Sequence, residues 1–447
     1  MLQWLSKHVF YPLWDVKENA HRLRELRVLE SSQFWEPARI EAQQLQRLRD
    51  IVQHARATTK YYRESLADAA SLKLDSLADL RRLPLVSKRA IRERAADFLS
   101  SAVPAERRVE ARTGGSTGTA LIVYFDERCQ EFRNAAAMRS DRWAGRDLGV
   151  KTAAIWGNPP PPGGWRDRFR NAVLNRLVYL DTMALNEESV RSFATLWREE
   201  RPQVIFGHSH SIYMLARLAR QYGIDWIRPS GIISTSMMLL DHERAVIEDV
   251  FKCKVTNRYG CEEVGLIASE CPEHRGLHVN NEHVIVELLR DDGSPAAPGE
   301  PGQVVVTDLL NRAMPLIRYQ VEDVAVLSAS GCSCGRRAPL LEKIVGRVAD
   351  FLVKSDGTLV AGVSLVERTL TKIAGLDQMQ IVQESVDHLL INVVPGAGYS
   401  QESARQLTQE MHDVFGAEVR VELRELAALS PERSGKYRFS ICKVPRA

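Results

Sequence analysis

Hydrophobic and polar positions alternate with different periods along the chain. Residues 18–100 carry apolar side chains at helical spacing, for example at Leu45, Leu48 and Ile51, which predicts a helical opening segment. Farther along, short apolar runs alternate with helical patterns, and this alternation predicts a mostly parallel sheet flanked by helices. The predicted strands lie at 152–156, 204–206, 232–235 and 255–259. The predicted helices lie near 187–200, 209–222 and 240–251.

Other stretches predict a further helix, a β-rich region and a C-terminal domain. Asp126 is a predicted N-cap for a helix over 127–143 that stops at Gly145. From about residue 280 strands and turns predominate, at 284–289, 291–294, 304–307 and 324–327. Beyond residue 346 the pattern predicts a compact α+β domain. Its expected elements are a hairpin of 351–353 with 359–360, helices near 364–374 and 401–415, and strands near 379–384, 389–394 and 419–425.

The predicted fold is therefore α/β with a large N-terminal and a small C-terminal domain. The large domain combines helix-flanked, mostly parallel sheets with a β-rich subdomain, and the small domain is α+β. We place a helical lead-in at 1–110, the body of the large domain at 111–346 and the C-terminal domain at 347–447. A length of 447 residues fits at least two domains.

Composition excludes several classes of protein. The 60 basic and 57 acidic residues nearly balance, and so even a balance argues for neither a nucleic-acid partner nor an anionic membrane. Residues 1–14 are apolar but interrupted by Lys7, His8 and Pro12, so we expect a docked terminal helix, with contact to a membrane surface as a lesser alternative. No stretch approaches the ~18 apolar residues of a membrane span, and we expect a cytoplasmic protein. Seven cysteines, an odd number, argue against a disulfide framework.

A loop rich in glycine and hydroxyl groups precedes the strand-like run 121–125. Glycines allow backbone N–H groups to approach an anion closely, and hydroxyls add donors, so the loop suits a phosphate. It is not a Walker loop, because a strand follows where that motif requires a helix. A flexible turn between two strands is the alternative. The candidate nucleotide-binding residues in this loop are Thr113, Gly114, Gly115, Ser116, Thr117 and Gly118.

This loop resembles the phosphate loop of the adenylate-forming enzymes, and that family's later motifs follow in the expected order. Within the superfamily the chain is similar to the branch of phenylacetate–CoA ligases and capsule-biosynthesis adenylating proteins, over residues 40 to 440. The matching motifs are Tyr259 to Glu263, Ile317 to Tyr319 with Asp323, Gly346-Arg347 with Asp350, and Gly435-Lys436.

The resemblance implies roles for several of these residues. Glu263 matches a magnesium-associated glutamate, and Tyr259 and Gly260 would lie against the nucleotide. Glu262 stands where the family has threonine, which leaves it as a second carboxylate or a solvated loop charge. Asp323 matches the acid that holds the ribose hydroxyls, and a carboxylate can accept both.

The last two motifs imply a hinge and a catalytic cation. Arg347 matches a ribose or phosphate contact, and the family places its interdomain hinge nearby, although Ala349 stands where an acidic hinge residue is common. Lys436 matches the catalytic lysine of a mobile C-terminal domain, where a flexible ammonium group can reach carboxylate and phosphate together. A solvated surface lysine is the alternative.

A second group of residues has the composition of a structural zinc site. Cys271, His278, Cys332 and Cys334 supply four soft ligands, the number and type that tetrahedral Zn²⁺ prefers. His274 is an alternative to His278, although similar members of this branch carry zinc at positions that match His278. Reduced, buried cysteines without metal are the other interpretation.

The sequence thus predicts an enzyme that uses ATP and Mg²⁺ to activate a carboxylic acid, aryl or arylalkyl, and passes it to coenzyme A. A carrier-protein thiol or a sugar amine or hydroxyl is the alternative acceptor, and a zinc-stabilised nucleotide-binding module without turnover is the alternative of another class. A homodimer is left open. An acyl pocket is expected to be lined by apolar and aromatic residues, although packing in the core would explain each of these residues equally well. The candidate residues are Trp156, Phe206, His208, Tyr213, Met237 and Met238.

Overall fold

The computed structural model describes residues 1–67, 73–112, 121–157, 163–345, 351–396, 398–429 and 438–444. Helices dominate the opening segment, as predicted, and a π-helical turn at Ser6–Phe10 joins the first two. Among the described residues, no helix is both long and apolar enough to cross a bilayer. The helices of the opening segment are α1 (Leu2–Leu5), α2 (Tyr11–Lys17), α3 (Arg22–Ser32), α4 (Pro37–Thr58), α5 (Lys60–Ser65), α6 (Lys88–Glu93) and α7 (Ala95–Phe98). Short 3₁₀ turns lie at Leu77–Arg82 and Ala105–Arg107.

A hairpin flanks the glycine-rich loop. Strands β1 (Arg108–Arg112) and β2 (Ile122–Asp126) pair antiparallel on either side of it. Helix α8 (Glu127–Trp143) follows directly, and the Asp126 carboxylate accepts a hydrogen bond from the Cys129 N–H at 2.9 Å. The predicted helix and its cap are confirmed.

The middle of the chain forms a parallel sheet. Strands β4, β3, β5, β6 and β7 lie side by side in that order and run parallel. The predicted strands and helices of this region are confirmed to within two residues, and β4 was not predicted. In chain order the elements are β3 (Thr152–Trp156), α9 (Trp165–Arg170), β4 (Leu177–Asp181), α10 (Glu187–Glu200), β5 (Val204–His208), α11 (Ser209–Gln221), β6 (Gly231–Thr235), α12 (Asp241–Phe251) and β7 (Val255–Cys261). A π-helical turn at Asn171–Asn175 separates α9 from β4.

The β-rich region continues this sheet. Beyond β7 the strand order is β8, β9, β13, β12, β11 and β10, and neighbouring strands are antiparallel. The described strands of both regions therefore form one eleven-stranded sheet. Strand β7, which carries Tyr259 and Gly260, pairs parallel with β6 and antiparallel with β8 and so joins the two regions. The strands are β8 (Gly265–Glu270), β9 (Leu277–Val279), β10 (Val284–Leu289), β11 (Pro301–Asp308), β12 (Tyr319–Leu327) and β13 (Leu340–Val345).

The C-terminal region is α+β, as predicted. Its four-stranded sheet has the order β18, β17, β16, β19, with α13 and α14 connecting the strands. Its elements are β14 (Phe351–Val353), β15 (Leu359–Ala361), α13 (Gly362–Lys372), β16 (Leu376–Ser385), β17 (His388–Pro395), α14 (Gln401–Phe415), β18 (Arg420–Glu425) and β19 (Ser440–Cys442).

The β14–β15 hairpin docks the C-terminal region against the carboxyl end of the parallel sheet. The Ala361 N–H donates to the Thr182 carbonyl at 2.9 Å, and Thr182 follows the last residue of β4. Met237, which follows β6, is buried in the C-terminal hydrophobic core. The C-terminal region therefore lies beside the edge where parallel sheets commonly bind ligands.

Candidate functional site

A cleft of about 760 Å³ opens at the carboxyl ends of β6 and β7. The segment 236–240 after β6 forms one side, and Tyr259 and Gly260 of β7 form the floor. Asp323 of β12 and the segment 342–344 of β13 close the other side. The cleft thus brings together three residues that the sequence assigned to nucleotide binding, from strands far apart in the chain.

Tyr259 and Asp323 contact each other in this cleft. The Tyr259 hydroxyl donates a hydrogen bond to Asp323 Oδ2 at 3.0 Å, across 64 positions of sequence. Tyr259 is almost fully buried, whereas Asp323 is half-buried and lines the open cleft. The bond orients the carboxylate, because a bond to one oxygen directs the remaining lone pairs toward the cleft.

Glu263 is a buried residue that is held both at its carboxylate and at its backbone carbonyl. Its Oε1 accepts a hydrogen bond from the Tyr319 hydroxyl at 2.7 Å, and its carbonyl accepts from Arg133 Nη2 at 2.8 Å. Arg133 in turn binds Asp308 Oδ2 at 2.6 Å in the protein interior. Burial and the Glu263 carboxylate both raise the pKa of Tyr319, so the phenol stays protonated and remains a donor.

Glu262 and Glu263 face different surroundings. Glu262 is exposed as a residue, while Glu263 is buried. Partial desolvation, and then the neighbouring Glu263 carboxylate, raise the pKa of the Glu262 carboxyl. The Glu263 carboxylate thus disfavours ionisation of Glu262, because like charges repel each other.

Two site residues were missed at the level of sequence. Tyr319 was quoted only as part of a motif, and its partner lies 56 positions away, so local periodicity gives no signal for the contact. Lys88 is a buried lysine whose Nζ lies 3.2 Å from Glu322 Oε2, next to Asp323. Two backbone hydrogen bonds position the segment that contains Lys88. The Val86 N–H donates to the Arg318 carbonyl, and the Gln320 N–H donates to the Val86 carbonyl. A lysine at the start of a short helix after a Ser N-cap was the available signal.

Several predicted residues lie outside the described residues. The loop positions Thr113, Gly114, Gly115, Ser116, Thr117 and Gly118 do so, and so do Arg347, Asp350 and Lys436. Their assigned roles stay predictions.

Cys271, His278, Cys332 and Cys334 form a compact group. All four ligand atoms lie within 4.8 Å of one another. The Cys271 and Cys332 sulfurs are 3.6 Å apart, and Cys334 Sγ is 3.3 Å from His278 Nε2. The alternative ligand His274 is not in the group, because its Nδ1 lies 3.3 Å from Glu270 Oε2.

The protonation states differ within this group. Burial lowers the pKa of His278 to about 4, so its ring is neutral near pH 7. Burial opposes ionisation of the Cys334 thiol, but hydrogen bonds from Arg336, Cys332 and Cys271 together lower its pKa. Burial raises the pKa of the Cys271 thiol to about 12, so this ligand would lose its proton on binding a metal. The four side chains are of the types that bind a Zn²⁺ ion.

The predicted acyl-pocket residues do not form one pocket, and only three of them lie together. Trp156, Phe206 and His208 stack at the ends of β3 and β5, with the Trp156 ring 5.7 Å from Phe206 and 3.9 Å from His208. Met237 instead packs into the C-terminal core, and Met238 lines the nucleotide cleft. Tyr213 lies next to His242 on the helices behind the sheet. His208 is fully buried, neither ring nitrogen meets a hydrogen-bond partner among the described residues, and burial lowers its pKa to about 4.

Comparisons with known proteins agree with this geometry. Residues 352–443 match the family model of the CapK C-terminal domain. The chain is 28% identical over 329 residues to a phenylacetate–coenzyme A ligase of Thermus thermophilus, covering 70% of this chain and 72% of that protein. It is 22% identical over 408 residues to protein CapK of Staphylococcus aureus, covering 90% and 89%.

A solved structure shows the same fold. The crystal structure of 2-hydroxyisobutyryl-CoA ligase, in complex with 2-HIB-AMP and CoA in the thioesterification state, superposes with a TM-score of 0.62 at 19% identity. The alignment covers 92% of this chain and 91% of that one.

Proposed function

Because the chain belongs to the adenylate-forming superfamily, in the branch of phenylacetate–coenzyme A ligases and CapK, we propose that it activates a carboxylic acid with ATP and transfers the acyl group to coenzyme A. In the first step a carboxylate oxygen attacks the α-phosphorus of ATP, the bond to the bridging oxygen breaks, and pyrophosphate leaves. In the second step the thiol sulfur attacks the acyl carbonyl carbon and releases AMP. The thiol proton passes to solvent.

The observation that carries this proposal is the Tyr259–Asp323 pair in the cleft. An oriented carboxylate at the edge of a nucleotide-sized cavity can accept hydrogen bonds from two vicinal ribose hydroxyls. The Tyr259 ring, almost fully buried beside the Met238 side chain that lines the cleft, supplies an apolar surface for a base. The C-terminal region packs beside this edge of the sheet, and Lys436, to which we assign the catalytic cation, belongs to that region by sequence.

Glu263 is the residue suited to hold a magnesium ion. Mg²⁺ is usually bound by one or two carboxylates together with substrate phosphates, and Glu262 provides a second carboxylate. The ion, when bound, offsets the negative charge that accumulates on the phosphates. The Tyr319 hydroxyl holds the Glu263 carboxylate in one orientation whether or not a cation is present.

The group of Cys271, His278, Cys332 and Cys334 would hold a structural Zn²⁺. Four protein ligands leave no open coordination position, so the ion would stabilise structure and not catalyse. It would tie the 332–334 loop to β9 and to the end of β8, behind the strand that carries Tyr259.

We assign an aryl or arylalkyl acid as substrate. Trp156, Phe206 and His208 form an aromatic stack at the carboxyl ends of β3 and β5, in the same edge of the sheet as the nucleotide cleft. Aromatic rings favour offset or edge contacts with other rings, so such a lining suits an aryl group.

A second acceptor class is supported by the C-terminal region. This region matches the family model of the CapK C-terminal domain, and one relative of the whole chain is protein CapK of Staphylococcus aureus. A carrier-protein thiol or a sugar amine or hydroxyl would attack the acyl carbonyl in the same way as coenzyme A, with AMP as leaving group.

The proposal is tested by pyrophosphate release over a panel of aryl, arylalkyl and short aliphatic acids, each with and without coenzyme A. We expect release with an aryl acid and consumption of the thiol when coenzyme A is present. Release with hydroxylamine as a surrogate acceptor but without thiol consumption would favour the second acceptor class. ATP binding without release for any acid would refute an enzyme and favour a nucleotide-binding module.

A further inference from the structure

The N-terminal helical segment, residues 2–17, is attached to the large domain through polar side chains. The buried Ser6 hydroxyl donates to the Val173 carbonyl, and Lys7 Nζ lies 2.6 Å from Asp147 Oδ2. Asp15 is also buried and binds Arg22. A Cβ added to Gly149 would lie 2.6 Å from Ser6 Cβ, so the segment rests directly on the loop beneath it.

Several large apolar side chains of the same segment face solvent. The exposed fractions are 60% for Trp4, 61% for Leu13 and 79% for Val16. A helix on the surface of a globular protein normally shows the reverse arrangement, with its apolar stripe toward the core. In this segment Leu5, Val9, Phe10 and Trp14 are half-buried, whereas Trp4, Leu13 and Val16 stay exposed in the part of the chain that the structure describes.

A second segment extends this apolar surface. In α9, Trp165 and Phe169 are four positions apart and therefore lie on one side of the helix. Their side chains are 74% and 58% exposed. The π-helical turn that follows α9 packs against the π-helical turn Ser6–Phe10. The two segments are therefore neighbours. We define the N-terminal face as Trp4, Leu13, Val16, Trp165 and Phe169.

Basic residues surround the N-terminal face. Lys17 Nζ and Arg170 Cζ lie 4.7 Å and 4.9 Å from the centre of the Trp14 ring, one from each segment. Within the described part of the chain, neither of them nor Arg166 nor Arg168 forms an ion pair. The only acid in α9 is Asp167. The surface thus combines exposed tryptophan and aliphatic side chains with cations that form no ion pair among the described residues.

This combination matches the surface of an anionic bilayer. Tryptophan and phenylalanine lie favourably at the level of the headgroups, and lysine and arginine gain energy near anionic lipid phosphates. A second copy of the chain is a poorer partner, because a symmetric contact would place this cationic surface against itself. We propose that the N-terminal face binds the surface of an anionic lipid membrane, with the helical segment lying in the membrane plane.

The test is sedimentation of the full chain with vesicles of phosphatidylglycerol and phosphatidylcholine, and with vesicles of phosphatidylcholine alone. We expect binding to the anionic vesicles that weakens as salt is raised, and little binding to the neutral ones. The triple variant Trp4→Ser, Leu13→Ser and Val16→Ser should bind about tenfold more weakly. Phe34→Ser, which changes an exposed aromatic residue outside the face, is the matched control and should bind like the parent.

Three outcomes would overturn the proposal. The first is no sedimentation of the parent chain with anionic vesicles, and the second is unchanged binding of the triple variant. The third is a concentration-dependent dimer, measured by light scattering without lipid, that the triple variant abolishes. Should the triple variant fail to fold by circular dichroism, the pair Arg166→Glu and Arg168→Glu on exposed positions serves instead, and unchanged binding of that variant has the same consequence.

Discussion

Removing the Asp323 carboxylate should weaken nucleotide binding more than any other single change in the cleft. If the carboxylate accepts both ribose hydroxyls, Asp323→Ala loses two hydrogen bonds to a charged acceptor, each worth about 1.5–3 kcal/mol. Because Asp323 is half-buried, water competes for these hydrogen bonds, and the lower end of this energy range applies to each bond. Two bonds at this lower end amount to about 3 kcal/mol, which corresponds to an increase of about 150-fold in the Kd of ATP.

Tyr259 provides a graded comparison. Tyr259→Phe keeps the ring in the cleft but removes the hydroxyl that donates to Asp323 Oδ2. Only the orientation of the carboxylate is lost, at a cost of about 1 kcal/mol, or about fivefold in Kd. The expected order of affinity is parent, then Tyr259→Phe, then Asp323→Ala.

Titration calorimetry with ATP and with AMP measures these differences. AMP should show the same losses as ATP, because it shares the ribose but lacks the β- and γ-phosphates. Glu199→Ala, an exposed carboxylate on α10, controls for the general loss of a negative charge. Equal Kd values for Asp323→Ala and for the control, in folded proteins, would refute the ribose assignment.

Three further predictions concern the metal, the C-terminal lysine and acid stability. Cys332→Ser should lower zinc content from about one per chain and lower the melting temperature, whereas Cys253→Ser, outside the metal-ligand group, should do neither. Lys436→Ala should slow acyl-AMP formation by about a hundredfold or more but spare thioester formation from supplied acyl-AMP, and parallel loss of both steps would contradict this. Burial lowers the pKa of His208 and of His283 from 6.5 to about 4, so the unfolding free energy should fall as pH drops between those values. The loss is about 3 kcal/mol per ring, and a urea midpoint that stays the same from about pH 7 to about pH 5 would contradict it.

Local signals in the sequence predicted the elements that carry strong periodicity or caps. The α8 helix was predicted with its bounds because the Asp126 cap and the apolar spacing are both local. Strand β9 was missed, since all three of its residues are buried and so short a run shows no alternation. Strand β4 was missed because most of its residues are half-buried, so its two faces differ little in burial.

The site was predictable in its residue types but not in its contacts. Spacing and resemblance identified Tyr259, Asp323 and Glu263, because motif residues are recognisable one by one. The hydrogen bonds that orient them join β12 to β7 and to the turn after β7, and this proximity depends on the order of strands in the sheet, which no local pattern encodes. Lys88 reaches the site only through the backbone bridge of Val86 to β12.

The loop after β6 connects the two regions of the molecule energetically. Met237 is buried in the C-terminal core, and the next residue, Met238, lines the nucleotide cleft. Ser236 adopts a left-handed backbone conformation with φ of 64°, which is uncommon for a residue with a side chain and confines this loop to few conformations. A rotation of the C-terminal region would expose Met237, at a cost of about 2 kcal/mol if its burial is lost, unless the loop moves with it. Because the loop is also a wall of the cleft, the position of the C-terminal region and the shape of the nucleotide site cannot change independently.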